Sequence, residues 1–182
     1  LGGQFMSRCF GLGDVLPMEA TRASLVAQFK TSISQSADNY APKVWLIKEG
    51  KAMNDPQRPN DPNADSTCWP FYLESYTAMT AIQAGYVEDG LQIMRNIQLL
   101  HLRNGWTWSQ NLWRPAELCY VTAPVSWFIT DVLAGAGLDV PSGTLMLSPV
   151  LMPAESQVVL PVYFPRFWGV LRVDRAARSL KF

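Results

Sequence analysis

The chain has 182 residues, of which 48% are hydrophobic and 16% charged, a composition typical of a folded protein and not of a disordered chain. Fifteen basic residues balance fifteen acidic ones, so no net field favours nucleic acid or an anionic membrane. No stretch reaches the roughly 18 unbroken apolar residues of a transmembrane helix. Residues 117–137 come nearest, and polar side chains interrupt them.

The cysteine and histidine content argues against a disulfide framework or a zinc site. Cys9, Cys68 and Cys119 are odd in number and widely spaced, and the chain has one His. We therefore expect the thiols to act as small buried hydrophobic groups. The sequence contains no sign of a metal, nucleotide or redox cofactor.

The first segment predicts two helices. Residues 2–12 read as the tail of a helix that stops at the glycines of Gly11–Asp14. Pro17 is suited to open the next helix, and Glu19 falls in its first turn, where a carboxylate is favourable. The apolar face of this second helix is marked by Leu25, Phe29 and Ile33.

Residues 36–64 lose this periodicity and are dense in Pro and Asn, which indicates a long loop. Val44–Ile47 is the one candidate strand within it. Loops of this length in a compact domain are usually functional or disordered. Either an ordered loop on the rim of a cleft or a tolerated surface excursion fits the pattern.

A helical hairpin is predicted for residues 65–105. Its first helix carries apolar residues at helical spacing and ends at Gly85, and Asp65 and Ser66 precede it as possible caps. These apolar residues are Trp69, Tyr72, Tyr76, Met79 and Ile82 in the first helix, then Val87, Leu91, Met94, Ile97 and Leu100 in the second. The short linker requires antiparallel neighbours.

The loop at residues 104–115 is rich in tryptophan, with three Trp in the eight residues 106–113. Amide, hydroxyl and guanidinium groups lie between them. Such a surface suits the stacking of sugar rings and hydrogen bonding to sugar hydroxyls. The alternative is that these Trp residues fill a core or a domain contact.

The last third of the chain changes from helix to strand. A third helical face ends at Gly135 and Gly137, with Pro124 either kinking the helix or marking its start. Short β-like runs follow at Thr144–Leu147, Val158–Val162, Trp168–Val173 and Arg178–Phe182. Asp174–Ala177 is predicted to turn the last two into a hairpin. We place the domain boundary between 1–137 and 138–182.

Several of these stretches resemble one family. Gly3-Gln4-Phe5 and Gly11–Pro17 look like the "GQ…GLGD-LP" passage of the bile-acid β-glucosidase (non-lysosomal glucosylceramidase) family and its bacterial relatives. Gly85–Leu91 is similar to the family's "EG-x-x-EGL" hairpin, and Asn104–Gln110 falls at its "NPWN" substrate loop. Leu145–Pro149 matches its "L-x-x-x-P" strand.

The resemblance implies a mainly α fold: the terminal helical hairpins of an (α/α)6 barrel, or six-hairpin toroid, followed by a short β-rich tail. It implies an incomplete fragment, an interior or C-terminal piece of a longer chain. The implied activity is retaining hydrolysis of a β-glycoside, which uses a nucleophile and a general acid. Both carboxylates are expected upstream of Leu1, so no catalytic residue is predicted here.

What the resemblance assigns to this piece is sugar binding. Trp106 and Trp108 are expected to stack on the ring, and Gln110, Asn111 and Arg114 to bind its hydroxyls. Two positions depart from the family pattern, since Thr67 and Thr122 stand where charged residues are expected. These departures indicate a different sugar or a lost activity. Four acidic residues are inward-facing by pattern, and we expect capping or structural roles for them: Asp65, Glu74, Glu117 and Asp131.

The expected partners are a carbohydrate and the upstream remainder of the same chain, without nucleic acid. Two other functions remain open. One is a non-catalytic carbohydrate-binding or scaffold protein. The other is a helical interaction module whose Trp loop contacts protein.

Overall fold

A computed structural model describes residues 2–30, 72–103, 123–150, 155–164 and 167–182 of the chain. The helices in these ranges are α1 (Gly2–Cys9), α2 (Met18–Gln28), α3 (Tyr72–Gln83), α4 (Val87–Arg103) and α5 (Ile129–Ala134), with a 3-10 helix (Ala123–Phe128) directly before α5. The strands are β1 (Ala136–Asp139), β2 (Thr144–Leu147), β3 (Gln157–Phe164), β4 (Phe167–Asp174) and β5 (Ser179–Lys181). The described part is therefore an α+β structure.

The helical part is organised around Phe5 of α1, which is completely buried. Its ring meets Tyr76 of α3 with centroids 5.5 Å apart and Phe128 edge-on at 5.8 Å. Met79 and Ile82 of α3 complete this helical cluster together with Val132 of α5. Burial of aromatic rings is a large source of stability, so α1, α3 and α5 are held together at this point.

The predicted hairpin of α3 and α4 is confirmed within these ranges. Gly85 follows α3 with a φ of 95°, a left-handed conformation that favours glycine. The buried face of α4 differs from the predicted one, because Ile93 and Asn96 are buried while Leu91 is only half-buried. Gly90 explains the difference: a Cβ there would lie 2.5 Å from the Ala78 carbonyl oxygen. The absence of a side chain at this glycine lets the two helices approach closely.

The Gln4 side chain stabilises the loop between α1 and α2 through hydrogen bonds. Its side chain is 2% exposed, and its Oε1 accepts hydrogen bonds from the backbone N–H groups of Val15 (3.0 Å) and Leu16 (2.9 Å). Its Nε2 donates to Asp14 at 2.6 Å. Asp14 also pairs with Arg8 at 3.5 Å. The Gly3-Gln4-Phe5 and Gly11–Pro17 stretches thus meet through one buried amide.

Two antiparallel sheets follow α5. β1 and β2 form a hairpin, and the second sheet has the order β3-β4-β5. Leu160 and Val162 of β3 pack with Leu171 of β4 and Ala134 of α5 in a second buried group, the sheet cluster. Gly135 ends α5 with a φ of 54°, and a Cβ there would collide with the Ser148 backbone. The chain therefore passes from α5 into β1 at a position suited only to glycine.

The strand predictions for the C-terminal segment are confirmed for β2, β3, β4 and β5. The predicted turn is also present: Asp174 Oδ1 accepts a hydrogen bond from Ala177 N at 2.8 Å, and β4 pairs with β5. β1 was not predicted. Gly137, which we expected to finish a helix, lies in that strand opposite Met146.

The predicted six-hairpin toroid is wrong for the described part of the chain. In a toroid each helix packs between other helices. Here α5 has six residues and packs on the helical cluster through Val132 and on the sheet cluster through Ala134. The β strands thus occupy a side of α5 where the prediction required a helical hairpin. Within the described ranges, no helix has both the length and the apolarity needed to cross a bilayer.

Replacement of Gly90 by Ala tests the α3–α4 contact. In an exposed helix this change stabilises by about 0.5–1 kcal/mol. At Gly90 the added methyl meets backbone and Ile82, so we expect the free energy of unfolding to fall by about 1–3 kcal/mol. Gly3→Ala is the control, because nothing lies within 4 Å of a Cβ at this α1 position. Urea unfolding of both variants measures the effect, and equal stabilisation would contradict the close packing.

Candidate functional site

A surface pocket of about 500 Å³ lies where the 3-10 helix and α5 meet β3. It is lined by Ser126, Trp127, Phe128, Ile129, Thr130, Asp131 and Tyr163. Most of this lining is apolar or aromatic, and a carboxyl group lies within it. Pockets of this size and composition are typical of small-ligand sites.

The pocket's two aromatic side chains with polar atoms are mainly solvent-exposed. Trp127 is 68% exposed, while its neighbour Phe128 turns inward to the Phe5 ring. Tyr163 is 59% exposed because it follows the buried Val162 on β3, where successive side chains point to opposite faces. Large apolar side chains exposed together at one place are a common mark of a binding surface.

Asp131 lines the same pocket as these two aromatic residues. It follows Trp127 by four positions, and this step crosses from the 3-10 helix into α5. Its Oδ1 accepts a hydrogen bond from the Tyr163 backbone N–H at 3.2 Å. Burial raises the pKa of Asp131 above its ordinary value of 3.8, and the Tyr163 N–H opposes that rise. The carboxyl group is therefore attached to β3 and partly withdrawn from water.

This arrangement is suited to a ligand with both apolar faces and hydroxyl groups. Trp and Tyr rings pack against flat apolar surfaces, and a carboxylate accepts several hydrogen bonds from hydroxyl donors. Retaining glycoside hydrolysis needs two carboxyl groups about 5 Å apart. Asp131 is the one carboxyl group among the described lining residues. The pocket as described can bind and orient such a ligand.

The binding residues predicted from the sequence lie outside the described residues. They are Trp106, Trp108, Gln110, Asn111 and Arg114, all within 104–122. Asp65, Glu117, Thr67 and Thr122 are also outside the described ranges, and Glu74 falls within α3. Asp131, for which a capping or structural role was predicted, does bond the backbone of β3 and also lines the pocket.

Trp127 and Tyr163 are pocket residues that were not predicted from the sequence. Trp127 does not belong to the apolar helix face formed by Phe128 and Val132. A large aromatic residue outside the apolar face was the available sign of a binding residue. To predict Tyr163 as a pocket residue, one must know that β3 lies beside α5. No local sequence pattern contains this information. The pairing of an aromatic residue with an acid four positions later, as at Trp127 and Asp131, is the detectable part of the site.

Cys9 has a structural environment and is not among the residues that line the pocket. Its thiol packs beside the helical cluster and accepts a hydrogen bond from Gln83 Nε2 at 3.7 Å. Burial raises the pKa of Cys9 to about 11, so the thiol stays protonated at neutral pH. Cys68 and Cys119 lie outside the described residues. Across the described ranges, no group of three or more His, Cys, Asp or Glu side chains is arranged to hold a metal ion.

No protein-family model matches the sequence, and no curated protein or solved structure shows significant similarity to it. The chemistry of the pocket is therefore the available guide to function.

Asp131→Asn tests the electrostatics of the pocket. The folded chain holds the Asp131 proton to a higher pH than the unfolded chain, so the folded state binds more protons just above pH 3.8. As pH rises through this interval, the stability of the native sequence should fall relative to Asp131→Asn. Asn still offers an oxygen to the Tyr163 N–H. Urea unfolding between pH 3 and 7 provides the measurement.

Asp174→Asn is the matched control, because the pKa of Asp174 is shifted in the opposite direction to that of Asp131. Hydrogen bonds from the Ala177 N–H and the Gln157 side chain lower the pKa of Asp174. Its contribution to stability is therefore present above pH 3.8 and lost as pH falls below that value. If both variants changed the pH dependence in the same direction, the description of Asp131 would be wrong.

Proposed function

We propose that this chain binds carbohydrate through the pocket of Trp127, Asp131 and Tyr163. The observation that supports the proposal is a half-buried carboxyl group that lines the same pocket of about 500 Å³ as two exposed aromatic residues. A sugar ring has an apolar face of C–H groups that packs on an aromatic ring, and hydroxyls on its edge. The pocket provides a surface of each kind.

The charge of the site also fits a neutral polyhydroxylated ligand. Asp131 places a negative group in the pocket, which disfavours phosphate or carboxylate groups at this position. Its partial burial strengthens hydrogen bonds to it, because the local dielectric is lower than that of water. Sugar hydroxyls can donate to the carboxylate without bringing a charge of their own.

Trp127→Ala is the direct test. Stacking on an aromatic ring contributes about 0.5–1.5 kcal/mol beyond the burial of area, so removal of both terms should weaken binding about tenfold or more. We suggest NMR titration with neutral pentasaccharides: cellopentaose, xylopentaose and mannopentaose. Phe10→Ala is the control, because Phe10 is 60% exposed and does not line the pocket. Unchanged sugar affinity in Trp127→Ala would refute the proposal.

Hydrolysis of a β-glycoside is a more specific proposal, and its support is the resemblance to the β-glucosidase family. That resemblance predicts the catalytic carboxylates upstream of Leu1, so Asp131 would act in binding. A chain extended upstream should release the chromophore from an aryl β-glycoside, and mutation of one upstream Asp or Glu should abolish turnover. Sugar binding without turnover in the extended chain would leave the non-catalytic binding function.

A further inference from the structure

The outer face of the β3–β4 pair forms a continuous exposed apolar surface. Strand alternation sends Leu160, Val162 and Leu171 into the sheet cluster, while the residues between them point away from it. The outward-facing, mainly exposed members are Val159, Tyr163, Trp168 and Val170. Trp168 is 75% exposed, the highest value among them. We call this set the outer face.

The outer face begins at the pocket, because Tyr163 belongs to both. Tyr163 is directly opposite Trp168 in the β3–β4 register. The Tyr163 N–H is bonded to Asp131 and so points away from β4. Tyr163 and Trp168 are therefore a non-hydrogen-bonded pair, the type in which Cα atoms approach to about 4.5 Å and side chains are closest. The aromatic surface of the pocket thus continues onto β4.

The other end of the outer face is positively charged. Arg172 is directly opposite Lys181 of β5, and both side chains are exposed. Like charges in directly opposed positions destabilise a sheet. Neither cation forms an ion pair with any described residue. The next acid on this face, Asp174, is held in the β4–β5 turn by Gln157 and Ala177.

The spacing suits an extended ligand. Arg172 is four positions after Trp168, which at 3.3–3.4 Å per residue corresponds to about 13 Å along β4. Val170 lies between them on the same face, opposite Pro161. A ligand that starts in the pocket therefore crosses an aromatic and then an aliphatic surface before it reaches the two cations.

We propose that this surface binds an acidic oligosaccharide. Its hydroxyl-bearing end lies in the pocket at Asp131, its rings lie on Tyr163 and Trp168, and a carboxylate or sulfate substituent lies between Arg172 and Lys181. The inference depends on the carbohydrate function proposed above and specifies its ligand class. A guanidinium and an ammonium group side by side provide charge-assisted hydrogen bonds to such an anion.

The same charges argue against single-stranded nucleic acid as the ligand. Nucleic acid stacks on aromatic side chains but requires a positively charged groove along its whole backbone. Here the pocket end carries Asp131, and fifteen basic residues are balanced by fifteen acidic ones in the whole chain. A ligand that is neutral at one end and anionic at the other matches the surface.

A matched pair of ligands tests the inference on the full 182-residue chain: cellopentaose and the same pentasaccharide with its C6 positions oxidised to carboxylates. We expect the native chain to bind the acidic sugar about two- to fivefold more tightly, the upper part of the range for one exposed charge pair. This preference should shrink when salt is raised from about 0.05 M to about 0.5 M, since exposed charges are then screened.

The double variant Arg172→Gln, Lys181→Gln should lose the preference and keep its affinity for cellopentaose. Arg95→Gln is the control, because it removes an exposed positive charge from α4 and leaves the sheet unchanged. Trp168→Ala should weaken binding of both pentasaccharides. This result would separate a ligand that reaches β4 from one confined to the pocket.

Each contrary outcome has a distinct meaning. Equal affinity of the native chain for both sugars, with Trp127-dependent binding intact, overturns this inference and leaves the proposed function standing. Absence of binding to either sugar overturns both. The remaining outcome concerns a single-stranded oligonucleotide or a vesicle containing anionic lipid. If either binds more tightly than the acidic sugar and the double variant loses that binding, it would replace the oligosaccharide as ligand.

Discussion

The packing of α5 on both of its sides is the constraint on which the rest of the described structure depends. Val132 enters the helical cluster around Phe5, and Ala134 enters the sheet cluster, so a helix of six residues joins the two. A helix this short has little stability alone, and its position is set by these contacts. Because Trp127 and Asp131 belong to this segment and Tyr163 to the adjoining strand, the same contacts determine the shape of the pocket.

One hydrogen bond at the edge of β3 contributes both to the fold and to the pocket. Among the described strands, β3 has β4 as its only neighbour in the sheet, and an edge strand with free N–H groups is open to pairing with other chains. Pro161 has no N–H, and the N–H of Tyr163 is taken by Asp131. The carboxyl group thus closes part of the edge while it lines the pocket. Partial burial of the Asp131 carboxyl group opposes its ionisation. This is an energetic cost, because the proposed ligand needs a hydrogen-bond acceptor at this position.

The sequence predicted most local elements and failed where contacts decide. Periodicity located α1, α3 and α4, and alternation located four strands, because these patterns depend on a local chain period. The buried face of α4 was misjudged because Gly90 and Asn96 belong to it, and no hydropathy pattern selects them. β1 was missed because its four residues include Gly137 and Ala136, which carry no strand signal. The toroid prediction failed because the order of motifs does not specify that a sheet covers α5. Of the pocket, only Trp127 and Asp131 share a detectable spacing, and Tyr163 joins them through tertiary structure.

The most direct test is a two-dimensional NMR titration of the full chain with an oligosaccharide, following the backbone amides and the indole N–H signals of the seven Trp residues. We expect the Trp127 and Trp168 indole signals to shift together with the Asp131 and Tyr163 amides. The β5 amides should move further with an acidic sugar than with a neutral one. Shifts confined to Trp106 and Trp108 would place the site in the tryptophan-rich loop and contradict the pocket described here.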